Sequence, residues 1–193
     1  MASKGEFTRE KIIEVTTELV NQKGIEATSV NDILNAIGLK KGSLYFHFPN
    51  KESIIFAVLE KAKNEFIEFL NDSLKGNSPD KCLNNFFDKV YGKHEKKGFV
   101  GGCIFGNVTL EMSDKNNKYA KFVQNVFDEW IDKLKEIIEE GQKKGKISKI
   151  FPPDSFAQFI VATIEGGIMQ SRLKKEGKPL KECLDNLRKI IKS

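Results

Sequence analysis

The chain has 193 residues, of which 39% are hydrophobic and 31% are charged, and its formal net charge is +5. These values are typical of a folded globular protein and exclude an intrinsically disordered chain. No apolar run approaches the roughly 20 residues that span a bilayer, and no signal region follows the N-terminus. Three cysteines at wide spacings form no CxxC pair, so we expect reduced thiols and a cytoplasmic protein with no membrane partner.

The N-terminal quarter of the chain predicts three short helices. The first is expected from Thr8 to about Lys23, and the second begins after Ser29, a good N-cap residue. Gly38 ends the second helix, because a residue without Cβ enters the left-handed region at little cost. A third helix follows after two or three residues and carries lysines, a tyrosine and a histidine but no acid. Two helices joined by a glycine turn in this way are typical of a helix-turn-helix.

The segment that starts at Gly38, GLKKGSLYFHFPNKESI, resembles the DNA-binding head of TetR/AcrR-family transcriptional regulators. The likeness extends upstream through TREKIIEVTTELVNQKGIEATSVNDI. Lys40 stands where the family often has a small hydroxyl residue, which weakens the expected N-cap of the third helix. The resemblance implies an all-α fold: a three-helix head, residues 1–50, joined by a shared fourth helix to a helical ligand-binding and dimerisation domain, residues 51–193.

By the same resemblance, the third helix would enter the major groove of a double-stranded DNA operator. Base-edge contacts are expected from Lys41, Gly42 and Tyr45, and phosphate contacts from Thr28, Ser29, Ser43, His47 and Lys51. Lys40 belongs to the same candidate set. Residues 33–51 hold three lysines and no acid, so this edge of the head should attract phosphates. The alternative is that the tyrosine and lysines are ordinary solvated surface and that His47 is a turn residue.

Beyond Asn50, which is expected to cap the fourth helix, apolar residues repeat at helical spacing and no strand pattern occurs. Helices are expected over about 51–74, 79–92, 116–144, 154–175 and 180–191, with 93–97 as a polar loop. The glycines of residues 98–113 predict a broken helix. Ser113 and Asp114 are expected to cap the long helix that follows. These elements predict nine or ten helices in the whole chain.

The region after the head is rich in phenylalanine: twelve of the fifteen lie beyond residue 51, more than a helical bundle of this size needs to close. The resemblance places a pocket for a small apolar or aromatic effector among these helices. The residues expected to line it are Phe86, Cys103, Phe105, Phe127, Trp130 and Phe159, with Asn107, Glu111 and Glu165 as orienting polar groups. For any one of these residues, plain core packing is the alternative.

Two surfaces near the C-terminus are expected to form a homodimer. One is made of the small residues Ala162, Gly166 and Gly167, and the other is the apolar stripe Leu184, Leu187 and Ile191. A two-fold dimer would suit paired half-sites on palindromic DNA. The alternative is that both surfaces complete the core of a single chain.

The function expected from these features is ligand-responsive repression. A small effector would release the dimer from a palindromic operator, with helix four respacing the two heads. An enzyme is disfavoured, because the chain has two histidines, no glycine-rich phosphate loop, no nucleophile elbow and no metal-ligand spacing. We therefore expect no catalytic residue, no metal and no cofactor. A helical adaptor that binds only protein is the other alternative.

Overall fold

The computed structural model describes residues 4–192, and every regular element in that range is an α-helix. The nine helices are α1 (Lys4–Lys23), α2 (Val30–Ile37), α3 (Lys41–His47), α4 (Lys51–Ser73), α5 (Pro79–Glu95), α6 (Ile104–Met112), α7 (Asn117–Lys143), α8 (Pro153–Lys174) and α9 (Lys178–Lys192). The prediction of an all-α fold is therefore confirmed. Residues 1–3 and 193, at the ends of the two predicted domains, lie outside the described residues.

The second helix begins and ends where its sequence predicts. The Asp32 amide N–H donates to Ser29 Oγ at 3.1 Å, and the Ser29 N–H donates to the Asp32 carboxylate at 2.7 Å, which makes a capping box. Gly38 ends the helix with a φ of 74°. Lys23 forms an ion pair with Asp32 at 2.7 Å. The hydrogen bond from Lys23, and to a smaller extent those from Ser29, hold the pKa of Asp32 well below its usual range.

The core of the head draws on four helices. Ile12, Ile33, Leu44 and Ile55, one from each of α1 to α4, are fully buried. Asn50 caps α4 as expected, because the Ser53 N–H donates to its Oδ1 at 2.8 Å. The start of α4 thus contributes to the core of the head. The two compact units of the chain divide between Glu65 and Phe66, inside α4, whereas the predicted domains divide at its start.

The second unit is built around α8, which packs against both α7 and α9. The buried face of α8 includes Phe156, Ile160 and Ile164. A Cβ at Gly167 would lie 3.1 Å from the Leu180 side chain and 3.3 Å from Cys183. The small residue therefore allows α8 and α9 of one chain to approach closely.

The prediction that the apolar stripe on α9 forms the dimer interface is wrong. Leu184, Leu187 and Ile191 are at most 1% exposed and belong to the core of their own chain. Gly167 also faces inward, against α9. The apolar spacing of α9 does mark one face of a helix, but that face completes the core of a single chain, as the alternative from the sequence states.

Several predicted boundaries also change. α1 begins at Lys4, before Thr8, and α5 extends into the expected 93–97 loop and ends at Glu95. Residues 104–112 form one unbroken helix, and the left-handed glycines of this region precede it. The predicted Ser113–Asp114 cap is wrong, because Asn116 caps α7 by accepting from the Lys118 N–H at 2.9 Å. Within residues 4–192, no helix has the length and apolarity required to cross a bilayer.

Candidate nucleic-acid interface and ligand cavity

The short helix α3 is anchored by two residues that are four positions apart. Leu44 is fully buried, and Phe48, directly after the helix, is 3% exposed with the Arg9 guanidinium 4.9 Å from its ring centre. Because these two anchors fix the inward face of the helix, the intervening aromatic residues turn outward. Tyr45 is 40% exposed and Phe46 is 84% exposed. The outer face of α3 therefore presents two aromatic side chains to any partner.

Four predicted DNA-binding residues lie at the N-terminal end of α3, just before these aromatic residues in the chain. Lys40, Lys41, Gly42 and Ser43 are all exposed. The Lys41 ammonium lies 5.8 Å from the centre of the Tyr45 ring, within the range of a cation–π contact. Lys40 occupies the N-cap position without a side-chain hydrogen bond, as its replacement of a hydroxyl residue predicts. A Cβ at position 42 would meet nothing within 4 Å, so packing inside the chain does not require this glycine.

The remaining predicted DNA-binding residues differ in how much they are already engaged. Thr28 is fully buried, and its hydroxyl donates to the Gly24 carbonyl at 2.6 Å. Ser29 is exposed, but its hydroxyl donates to the Asp32 carboxylate at 2.6 Å. Lys51 Nζ donates to the Glu26 carbonyl at 3.3 Å. His47 is half-buried at the end of α3. Because a hydroxyl has a single proton, Thr28 and Ser29 could each donate to a phosphate only by leaving the present hydrogen bond.

The second unit contains a cavity of about 340 Å³ between α6, α7 and α8. Four of the predicted ligand-binding residues line it: Cys103, Asn107, Phe127 and Glu165. The other lining residues are Gly102, Gly106, Thr109, Leu110, Gly166, Ile168, Met169 and Arg172. Its volume lies within the roughly 300–1,000 Å³ of typical small-molecule sites.

The other predicted ligand-binding residues lie outside the lining of this cavity. Phe86, Phe105 and Trp130 are buried in the core, where Phe66 is 5.1 Å from Trp130 and 5.7 Å from Phe105 between ring centres. Phe159 is 44% exposed, on the outer face of α8. Glu111 is half-buried near the end of α6. The sequence therefore predicted the aromatic character of this region, but only the fold separates the cavity lining from the core.

A hydrogen-bonded clamp joins two sides of the cavity. Arg172 Nη1 donates to Asn107 Oδ1 at 2.6 Å, and Asn107 Nδ2 donates to the Gly101 carbonyl at 2.8 Å. These bonds use both ends of the Asn107 amide. They connect α8 to α6 and to the loop before α6.

A buried carboxylate, Glu165, is the least satisfied polar group of the cavity lining. Its Oε1 is buried and has no hydrogen-bond partner among the described residues. Burial raises the pKa of Glu165 to about 7, opposed by a hydrogen bond with the Cys103 thiol. Burial and the nearby Glu165 charge raise the pKa of Cys103 far above its usual value, so that thiol stays protonated. A Cβ at Gly106 would lie 2.5 Å from Glu165 Oε2.

The two units match two family models. Residues 12–58 match the bacterial regulatory proteins of the tetR family, and residues 80–187 match the tetracyclin repressor-like C-terminal domain. The crystal structure of a TetR transcriptional regulator from Chloroflexus aurantiacus J-10-FL has a TM-score of 0.89 to this fold. It is 31% identical in sequence and covers 97% of this chain and 96% of its own. The chain belongs to the TetR family.

Two relatives of this TetR-family chain are named as transcriptional repressors. The HTH-type transcriptional repressor DhaR from Mycobacterium sp. (strain GP1) is 27% identical over 178 residues, which cover 91% of this chain and 88% of DhaR. The HTH-type transcriptional repressor NemR from Escherichia coli (strain K12) is 24% identical over 187 residues, or 95% of this chain and 94% of NemR.

This TetR-family chain is therefore a ligand-responsive, DNA-binding transcriptional regulator and not an enzyme. Regulators of the family bind DNA and small-molecule effectors and act as dimers. The predictions of family and general function are confirmed.

Two residues of the candidate surfaces in this TetR-family chain, Phe46 on α3 and Arg172 in the cavity lining, were not predicted from the sequence. Phe46 could have been found, because Leu44 and Phe48 are four apart and leave the residue between them on the outer face. Arg172 had no such signal, since its partner Asn107 is 65 positions away in the chain. Among residues 4–192, no group of three histidine, cysteine or acidic side chains is arranged to hold a metal ion.

Proposed function

We propose that this regulator holds a palindromic operator with the outer face of α3 and releases it when a small, mainly apolar effector occupies the cavity. The observation that supports the DNA-binding half is the exposure of Tyr45 and Phe46 beside two exposed lysines. Two adjacent exposed aromatic side chains are unfavourable on a surface that stays in water, and such apolar patches commonly mark binding sites. In a major groove the same pair can contact base edges and thymine methyl groups.

The glycine in the first turn of α3 has a role in this proposal. Packing within the chain leaves position 42 open, so we propose that DNA fills that space and that Gly42 permits a close approach of the helix. Lys40, Lys41 and Ser43 then lie beside the groove and contact base edges or phosphates. Ser29 and Lys51 are proposed to contact phosphates from the flanking helices.

For the effector, the proposal rests on the cavity with its mixed lining. Phe127, Ile168 and Leu110 offer an apolar surface, and Glu165 supplies a polar anchor. Ligand sites commonly combine a mainly apolar wall with a few well-placed polar groups. Effector binding shifts the regulator only if the effector prefers the form that does not bind DNA.

A different face is proposed for the dimer from the one that α9 was expected to supply. On α8, Phe159, Ala162, Gly166, Met169 and Leu173 are spaced alternately by three and four residues, the spacing of a helix–helix seam. Met169 is 59% exposed and Leu173 is 81% exposed. Gly166 has open space beside it. An isologous contact along this seam would cover these side chains.

The proposed dimer seam and the cavity share two residues, Gly166 and Met169. An effector in the cavity would therefore lie next to the partner subunit. We propose that effector binding alters the packing across the seam and so changes the spacing of the two heads. Heads that read successive turns must stay about 34 Å apart, so a small change in spacing releases the DNA. Because its partner is chromosomal DNA, we also propose a cytoplasmic location.

The test starts with duplexes selected by the protein from a random pool, which supply the operator. We expect Tyr45→Ala to abolish binding in a gel-shift assay while the helical circular dichroism stays unchanged. Unchanged binding would remove Tyr45 from the interface.

The charge contribution can be tested with a matched pair of variants. Lys41→Ala should lower the slope of binding against salt concentration by about one, because one phosphate contact is lost. Lys121→Ala removes the same charge from an exposed position on α7 and should leave the slope unchanged. Equal effects from both variants would contradict a specific role for α3.

A further inference from the structure

The polar groups that line the cavity differ in whether they need a further partner. Asn107 is satisfied at both ends of its amide. Thr109 donates its hydroxyl to the Phe105 carbonyl at 2.9 Å. Glu165 Oε1, by contrast, is buried without a partner within residues 4–192. A buried oxygen that can accept a hydrogen bond and has none is costly, so a bound donor would be stabilising.

The charges around Glu165 also favour a bound hydrogen-bond donor. Cys103 and Arg172 are the other titratable or charged side chains of the cavity lining. The Cys103 thiol is protonated and neutral, and the Arg172 guanidinium is bonded to Asn107. Burial dominates the raised pKa of Glu165, and the Cys103 hydrogen bond alone opposes it. The protein thus leaves this carboxylate without a cation beside it, although buried charges are normally paired.

We propose that the effector is a compact, mainly apolar molecule that carries a hydroxyl or a protonated amine, and that this group donates a hydrogen bond to Glu165. The apolar part would pack against Phe127 and Ile168. This inference rests on the proposed function, because it takes the cavity as the effector site. A carboxylate anion or a plain hydrocarbon of the same size would bind less well, since neither offers Glu165 a donor.

The experiment uses four probes that share one apolar scaffold: 2-phenylethylamine, 2-phenylethanol, ethylbenzene and phenylacetate. Their binding to the full chain is measured by titration calorimetry and by the shift in melting temperature. The amine and the alcohol should bind about tenfold or more tightly than the hydrocarbon and the carboxylate. A preference for the amine identifies a cationic donor, and a preference for the alcohol a neutral one. Both results support the proposal.

Two variants assign the effect to Glu165. Glu165→Gln should weaken amine binding about tenfold and leave ethylbenzene binding unchanged. Glu136→Gln makes the same chemical change at an exposed position on α7 and should alter neither. Amine binding should also weaken as the pH falls from about 8 to about 6, because Glu165 becomes protonated while the amine stays charged.

The unfavourable outcomes separate two failures. If ethylbenzene or phenylacetate binds as tightly as the donors, the ligand class is wrong and the cavity remains the effector site. If none of the four probes binds at millimolar concentration, the cavity is not the effector site and the proposal falls with it. Binding of DNA by α3 is measured separately and stands or falls by the Tyr45 variant.

Discussion

Replacing Glu165 by glutamine should change how the stability of the protein depends on pH. In the unfolded chain the carboxyl has a pKa near 4.5, and in the folded protein burial raises it to about 7. Between these values the unfolded chain releases the proton and the folded protein keeps it. The stability that this group contributes is thus complete below about pH 4.5 and is lost as the pH rises through about 7.

The size of the effect follows from the two pKa values. The difference between 4.5 and about 7 corresponds to about 3 kcal/mol, because each pKa unit is worth about 1.4 kcal/mol. The unfolded carboxyl is already largely ionised at pH 5, so the loss of stability between about pH 5 and pH 8 is smaller than this, on the order of 2 kcal/mol. Glutamine carries no charge at either pH. Glu165→Gln should therefore remove this part of the pH dependence.

The measurement is urea denaturation of the wild type, Glu165→Gln and the control Glu136→Gln at both pH values. Relative to the wild type, Glu165→Gln should gain about 2 kcal/mol more stability at about pH 8 than at about pH 5. The control should follow the wild type, since Glu136 is exposed. A pH dependence shared by all three proteins would refute the claim that Glu165 is buried without a partner that stabilises its charge.

Three further predictions concern the head and the dimer. Phe46→Ala should weaken operator binding by about 1 kcal/mol, measured by fluorescence anisotropy, because an apolar contact with a thymine methyl is lost; unchanged affinity would place Phe46 outside the groove. Leu173→Glu should give monomers by light scattering, because a two-fold seam would then contain two new carboxylates, one from each protomer; a persistent dimer would exclude the α8 seam. Ser29→Ala should cost about 1 kcal/mol in urea denaturation by removing the cap, and an unchanged midpoint would contradict its role.

The parts of the fold that the sequence predicted well depend on neighbours in the chain. The ends of α2 follow from Ser29, Asp32 and Gly38, which act on backbone groups within a few residues. The cap of α4 by Asn50 is equally local. Such bonds need no distant partner, so their signals remain readable in the sequence.

The errors have a common physical cause. The apolar stripe on α9 shows that one face is buried, but spacing cannot say whether the same chain or a second copy covers it. Packing against α8 decided the matter, with Gly167 giving the two helices room. The Ser113–Asp114 cap failed for a related reason, because two candidate caps lie close together and helix geometry selected Asn116.

The sequence by itself determined the helical class, the helix-turn-helix and the family, because local spacing and a long matching motif carry them. Tertiary structure alone decided which residues form the cavity. Cys103, Phe127 and Glu165 come from distant parts of the chain, and no pattern links them before the helices pack. Burial in that packed environment also leaves Glu165 with an unpaired oxygen. The chemistry available to an effector is therefore a property of the fold and not of any segment.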